Sequence, residues 1–488
     1  MRRTDRREST NQQGLLVYQL AIGLLCAVMT AGSASAFDFG WAAATGYTRT
    51  DNVAQSTAGD AADILSAEVS AALKHATRTL AIDADANYLY RYFPDDDYAS
   101  GSQPQLRSEL EWTPIAERVR FSASDVYGQV ALNPAEGLLP SNFESANVFT
   151  AGSQLSWPLS LGNRIQALGE YRDATFDESS IDTQRTLGEL RIQHSLTRLI
   201  SLFASAGRSH TTFDVDGIAS DYDIDSALLG LDAVGRRSAL QFSAGVDSLE
   251  DDGDTFKGSK YDLRYERQLS REQRIFANAT RELADAADVF SLAQSSDPAL
   301  TAIRDVQVTS QPLIRQAYLL GYALSGSHLS VALAGGYRKE RFKGQPDDAA
   351  FVGLDRNIRE LQVNVDYTWS QRTNLLGRVE LQRQRYVNGI ESDDVLVRIS
   401  WLRRLAPRLG FEATVQRIER SHSPLDFDEL RFILMLHYIG RELPGQRTGA
   451  DVFDRSFEQR TRRIRDRIDA AEGSGQPVPA DEPLDGSP

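Results

Sequence analysis

Between Arg359 and Trp369 the chain reads R-E-L-Q-V-N-V-D-Y-T-W, and this alternation constrains the fold more than any other feature. Leu361, Val363, Val365, Tyr367 and Trp369 fall on one side of an extended chain, while Gln362, Asn364, Asp366 and Thr368 fall on the other. A helix would scatter the same residues around its circumference. The apolar side ends in Tyr and Trp, side chains suited to a boundary between hydrocarbon and water. The two-residue period recurs from Phe37 to Tyr438. The expected fold class is therefore all-β: a large antiparallel up-and-down transmembrane β-barrel of about 18–20 strands, followed by a short helical or disordered tail.

Composition agrees. Only 41% of residues are hydrophobic, and after residue 36 no apolar run approaches the roughly 18 residues of a spanning helix. A barrel can be this polar because only every second strand residue faces lipid. A net charge of −15 argues against nucleic acid as a partner. Cys26 is the only cysteine and lies in the leading apolar segment, so no disulfide or thiolate metal site is expected. The histidines at 75, 194, 210, 328, 422 and 437 lack metal-ligand spacing, and there is no phosphate-cradling glycine loop. The expectation is no cofactor and no metal.

Residues 1–36 read as a cleaved export signal. Arg2, Arg3, Arg6 and Arg7 precede the apolar Leu15–Thr30, and Ala34-Ser35-Ala36 forms a small-residue cleavage site. Residues 37–440 then form the barrel and 441–488 a tail. Short turns, as at Ser160–Asn163, alternate with longer loops, as at Asn133–Ser145. That asymmetry is typical of an outer-membrane barrel with its turns in the periplasm. Trp112, Trp157, Trp369 and Trp401 each precede a short turn, and Trp41 lies near the start of the first strand. All five should form an aromatic girdle at the periplasmic rim.

The opposite face is charged. Asp83, Asp85, Arg118, Arg120, Arg164, Arg172, Glu189, Arg191, Asp262, Arg264, Glu266, Arg378, Glu380 and Arg398 alternate with the apolar residues. Unpaired charge in a dry core costs several kcal/mol. These residues are therefore expected to face a water-filled lumen. Their mixed signs suit cross-strand ion pairs, with a selectivity role as the weaker reading.

Two segments are not strand-like. Leu283–Ser310 is long for a loop and includes D-P-A-L-T-A-I-R, with Asp297 as N-cap and Pro298 at the first helical position. It reads equally as a constriction in the mouth or as a simple loop. In the tail, Phe453, Phe457, Ile464 and Ile468 recur at helical spacing. An amphipathic helix over about 451–470 is expected in the periplasm, then a disordered end.

The region Trp41–Val53, with T-G-Y-T-R-T-D-N-V, resembles the start of a family of outer-membrane proteins associated with exopolysaccharide biosynthesis operons and the PEP-CTERM/exosortase system. Arg120–Gln129 (R-F-S-A-S-D-V-Y-G-Q) and Leu132–Phe149 are similar too. The resemblance implies a barrel tied to surface polysaccharide, and no catalytic residues.

A hydrolytic site would draw on His210 and His422, which have Ser209, Ser421, Asp214 and Asp426 nearby in sequence. No nucleophile sits in a recognisable setting, so no enzyme is expected. The acidic runs Asp95–Asp97 and Glu250–Asp254 read as solvated loops, because EF-hand spacing is not met. The leading reading is a porin-like barrel associated with surface or exopolysaccharide production or export. The alternative is a docking protein that recruits a periplasmic partner through its tail, and an outer-membrane hydrolase stands behind both. The expected partners are outer-membrane lipid, the barrel-assembly machinery, and a saccharide polymer or periplasmic export components.

Overall fold

Each alternating segment becomes a strand because only the extended conformation gathers its apolar residues on one face. The computed structural model describes residues 37–441, apart from 96–97, 132–142, 161, 178–180, 216–217, 252–253, 285–311, 343–354, 388 and 422–425. The expected leader, the tail with its helix, and nearly all of Leu283–Ser310 lie outside the described residues.

The described chain holds twenty strands. They are β1 (Asp38–Thr50), β2 (Ala62–Ala76), β3 (Leu80–Tyr92), β4 (Gly101–Ile115), β5 (Val119–Ala131), β6 (Phe143–Ser160) and β7 (Asn163–Phe176). Next come β8 (Ile181–Ser195), β9 (Ile200–Val215), β10 (Ile218–Val234), β11 (Ser238–Asp251), β12 (Asp254–Gln268), β13 (Gln273–Ala284) and β14 (Leu313–Ser325). The last are β15 (Leu329–Phe342), β16 (Arg356–Ser370), β17 (Thr373–Tyr386), β18 (Glu391–Ala406), β19 (Leu409–Ser421) and β20 (Phe427–Arg441). Consecutive strands pair antiparallel, and β1 pairs with both β2 and β20, so the sheet closes on itself. Closure leaves no unpaired strand edge, the condition for a sheet to exist in lipid.

The strands run from 12 to 18 residues, longer than the roughly 9–11 needed to cross hydrocarbon. No helix among the described residues is long and apolar enough to cross.

Register keeps the two faces separate all the way round. Leu65 sits opposite Tyr92 and Val69 opposite Tyr88, while Glu68 sits opposite Leu89 on the other face. The outward set is exposed: Leu229 by 68%, Leu320 and Trp369 by 66% each. A continuous apolar belt of this kind exceeds the largest patch a soluble protein normally shows, and lipid is the solvent it fits. Among the described residues the inner face has no continuous dry core. Buried apolar side chains form small clusters near the long loops, such as Val53, Ala62 and Phe93, or Leu396, Ile418 and Phe427.

The belt stops short of the long-loop end. There the outward positions become charged and pair across strands: Arg49 with Asp63, Arg208 with Asp223, Arg383 with Asp393, and Arg417 with Asp428. On β10, Asp221, Asp223 and Asp225 occupy outward positions above the apolar run that starts at Ala227. These ends project beyond the hydrocarbon.

At the short-turn end lie the five tryptophans. Four are more than a third exposed, and Trp401 is half-buried. Every register shift among the described strands falls within five residues of one of them: Trp41/Ala42, Trp112/Ile115, Pro158/Ser160, Thr368/Ser370 and Arg404/Ala406. A bulge adds twist and re-aims side chains, which suits a barrel rim. Trp41 packs on Tyr438, Trp112 on Phe121 and Trp401 on Phe411.

Candidate functional site: the charged wall of the lumen

Strand alternation alone places the candidate charged residues on the face opposite the apolar belt. Among them, Asp83 pairs with Lys74 at 3.1 Å, Arg120 with Glu111 at 3.0 Å, and Arg398 with Glu412 at 3.2 Å, all across strands. The others mostly pair within one strand. Arg172 meets Glu170 at 3.2 Å, Arg191 meets Glu189 at 3.6 Å, Arg264 meets Asp262 at 2.5 Å, and Arg378 meets Glu380 at 2.6 Å. Sequence reasoning expected cross-strand pairs. Residues two apart share a face, and the long arginine stem spans that gap as readily as the gap between strands.

Glu266 pairs with Arg274 at 3.7 Å, and Arg164 reaches Glu117 at 4.0 Å near a short turn. Asp85 stands opposite Arg107 in the register of β3 and β4. Arg118 is a correction. It lies in the turn between β4 and β5, not on a strand face, and its carbonyl accepts the Ser156 amide at 2.7 Å. Glu117 beside it has a φ of 61°, so the chain reverses there before alternation resumes.

Several wall residues escaped the sequence reading. Arg107, Glu109 and Glu111 alternate with Leu106, Leu110 and Trp112, so the same parity rule would have found them. The buried set near the long loops needed tertiary structure. Glu340, 2% exposed, holds Arg356 at 2.6 Å, and Arg356 also donates to Gln384 at 3.3 Å. Asp394 holds Arg420 at 2.7 Å.

At the seam, the fully buried Glu429 accepts from Thr50 Oγ1 at 2.6 Å, from Gln55 Nε2 at 2.8 Å and from Arg431. Gln55 gets there from the β1–β2 loop, with a φ of 51°.

Chemically this wall is polar, dense in donors and acceptors, and locally neutralised. It offers hydrogen bonds to hydroxyl-rich solutes without a strong field of one sign.

The described members of the hydrolase set are not brought together. Ser209 and His210 are adjacent on β9 and so point to opposite faces: Ser209 is buried and His210 is on the outer face, with Nδ1 3.0 Å from Asp223 Oδ1. Ser421 is exposed at the end of β19, Asp426 immediately precedes β20, and His422 and the Asp214 side chain lie outside the described residues. Among the described residues no group of three or more His, Cys, Asp or Glu side chains is arranged to hold a metal ion.

No family model matches the sequence, and no curated protein matches it. Solved barrels are similar over most of their length. The siderophore receptor PirA from Pseudomonas aeruginosa is 11% identical with a TM-score of 0.40, over 82% of this chain and 80% of that one. The ferric enterobactin receptor PfeA from the same organism is 10% identical with a TM-score of 0.44, over the same shares. The FrpB iron transporter from Neisseria meningitidis is 7% identical with a TM-score of 0.43, over 82% and 81%. Values this low carry neither a ligand nor a mechanism from those proteins to this one.

Proposed function

We propose that this chain is a porin-like barrel of the bacterial outer membrane, serving the production or export of surface polysaccharide. In this reading the short turns and the C-terminal tail face the periplasm and the long loops face outward. The observation that carries it is the closed ring of twenty strands whose inner wall is lined with neutralised ion pairs. Barrels of about 16–18 strands already enclose an aqueous channel. A wall that is polar yet locally neutral suits saccharide-like solutes, which need hydrogen bonds and carry little charge. The polysaccharide connection rests on the resemblance in Trp41–Val53, Arg120–Gln129 and Leu132–Phe149.

The test is conductance of the full-length chain in planar bilayers, beside extracellular polysaccharide measured in a strain lacking the gene. Discrete conductance steps, blocked by oligosaccharides, with a changed polysaccharide yield, are expected. A barrel that stays closed even when cut after Arg441 would end the transport reading and leave the tail-docking alternative. Fractionation with the periplasm would end the outer-membrane reading.

A further inference from the structure

The outward face of β12–β16 carries a feature that neither the belt nor the lumen explains. At its upper edge, Tyr261, Arg281, Gln316, Lys339 and Asn357 stand in one line across five strands, each opposite the next. One row lower, Tyr318, Tyr337 and Arg359 follow in register. Immediately beneath come Leu320, Gly335 and Leu361, which belong to the apolar belt.

Arg281, Lys339 and Arg359 make no ion pair among the described residues, and the buried Arg281 Nε has no hydrogen-bond partner. Among the described residues, the nearby outward carboxylates are engaged elsewhere. Asp355 faces Arg341 at 3.5 Å, Asp393 holds Arg383 at 2.5 Å, and Glu391 holds Arg385 at 2.7 Å. Three cations with no carboxylate against them among the described residues, at a hydrocarbon boundary, invite an anion, because such charge is costly there.

Below the cations is a groove of about 490 Å³. Its floor is made of small outward residues, Ala277, Ala279 and Gly335, and its sides are Leu263, Leu320 and the tyrosine pair. A Cβ added at Gly335 would meet nothing nearer than 3.8 Å, so the floor is open. Tyr318 and Tyr337 stack with ring centroids 6.3 Å apart. The Tyr318 and Tyr261 hydroxyls lie 2.7 Å apart, and Gln316 donates to Tyr261 at 2.8 Å.

We propose that this patch seats a bisphosphorylated glycolipid from the leaflet on the long-loop side. Arg281 and Lys339 are two strands apart, about 10 Å, and Arg359 is a diagonal neighbour of Lys339. A phosphodiester headgroup brings one negative charge to one point. Two phosphates on a sugar headgroup match three cations spread over this distance. The tyrosine hydroxyls and the Gln316 amide face the sugar, and an acyl chain lies in the groove.

Native mass spectrometry of the detergent-purified full chain tests this with three probes: bisphosphorylated lipid A, the same lipid dephosphorylated, and phosphatidylglycerol. The first is expected to bind at least about tenfold more tightly than the others. Arg281→Gln/Lys339→Gln/Arg359→Gln, and separately Gly335→Trp, should each remove that advantage while the band of unheated protein on a denaturing gel shows a folded barrel. Equal binding of the dephosphorylated lipid or of phosphatidylglycerol to the unaltered chain overturns the proposal without any variant. So does an unaltered preference in the triple variant. A dimeric mass that Gly335→Trp abolishes would assign the groove to a second copy of the chain instead.

Discussion

Phe203 and Phe276 lie on the inner face directly opposite Gly230 and Gly321, and each ring fills the space where a Cβ would stand. A glycine weakens a strand, and an aromatic lid across the ladder offsets that weakness. Arg191 adds a cation over the Phe203 ring at 3.9 Å. Gly230→Ala forces the ring aside and should cost about 1–3 kcal/mol, read by urea unfolding of the barrel in vesicles. Adding Phe203→Leu should return part of that loss, because the two sites share one space. On the outer face, the Arg208 guanidinium and the His210 ring hold the Asp223 carboxyl below the usual carboxylate range. A depressed folded-state pKa means the stabilisation is complete above the unfolded value of about 3.9 and fades as pH falls through the lower folded value. Amide exchange at the β9–β10 tip should therefore quicken only below about pH 4. Arg208→Gln should move that onset upward.

At the scale of the element, the seam between β1 and β20 is the one hairpin-free contact in the barrel. Its partners are far apart in sequence, so closing it costs the most chain entropy. The seam is pinned at the long-loop end by Glu429, and by the Asp51 carboxylate accepting the Leu430 amide at 2.8 Å. Glu429→Ala leaves the Arg431 guanidinium without its partner and should destabilise by about 3–5 kcal/mol. The measurement is the temperature at which the compact band disappears on an unheated gel. A variant indistinguishable from the parent would show that the ladder alone holds the seam. None of this was legible in the sequence. Thr50 and Glu429 are separated by 379 positions, and parity says only that both face inward. Strand identity, by contrast, was plain from stretches such as Arg359–Trp369. Strand length was less so, because the charged ends that project past the belt carry no apolar signal.

At the scale of the whole molecule, pairing of the wall charges predicts weak ion selectivity. Glu170 lies near both Arg172 and Arg185, at 3.2 and 3.7 Å. Arg172→Glu inverts that local balance and should shift the cation-over-anion permeability ratio about twofold at low salt, measured as a reversal potential across a salt gradient. In 1 M salt, where screening acts within about 3 Å, the shift should nearly vanish. The sequence alone determined the class of fold and the sorting of its side chains. A two-residue period admits only two faces, and charges that cannot share a dry interior must share a wet one. Tertiary structure decided what one dimension cannot encode. It set which charge neutralises which, because an arginine reaches along its strand as easily as across. It put Arg118 in a turn, and it joined the first strand to the last. It also brought Arg281, Lys339 and Arg359 together with no ion-pair partner among the described residues, since strand register lines up residues that the sequence holds far apart.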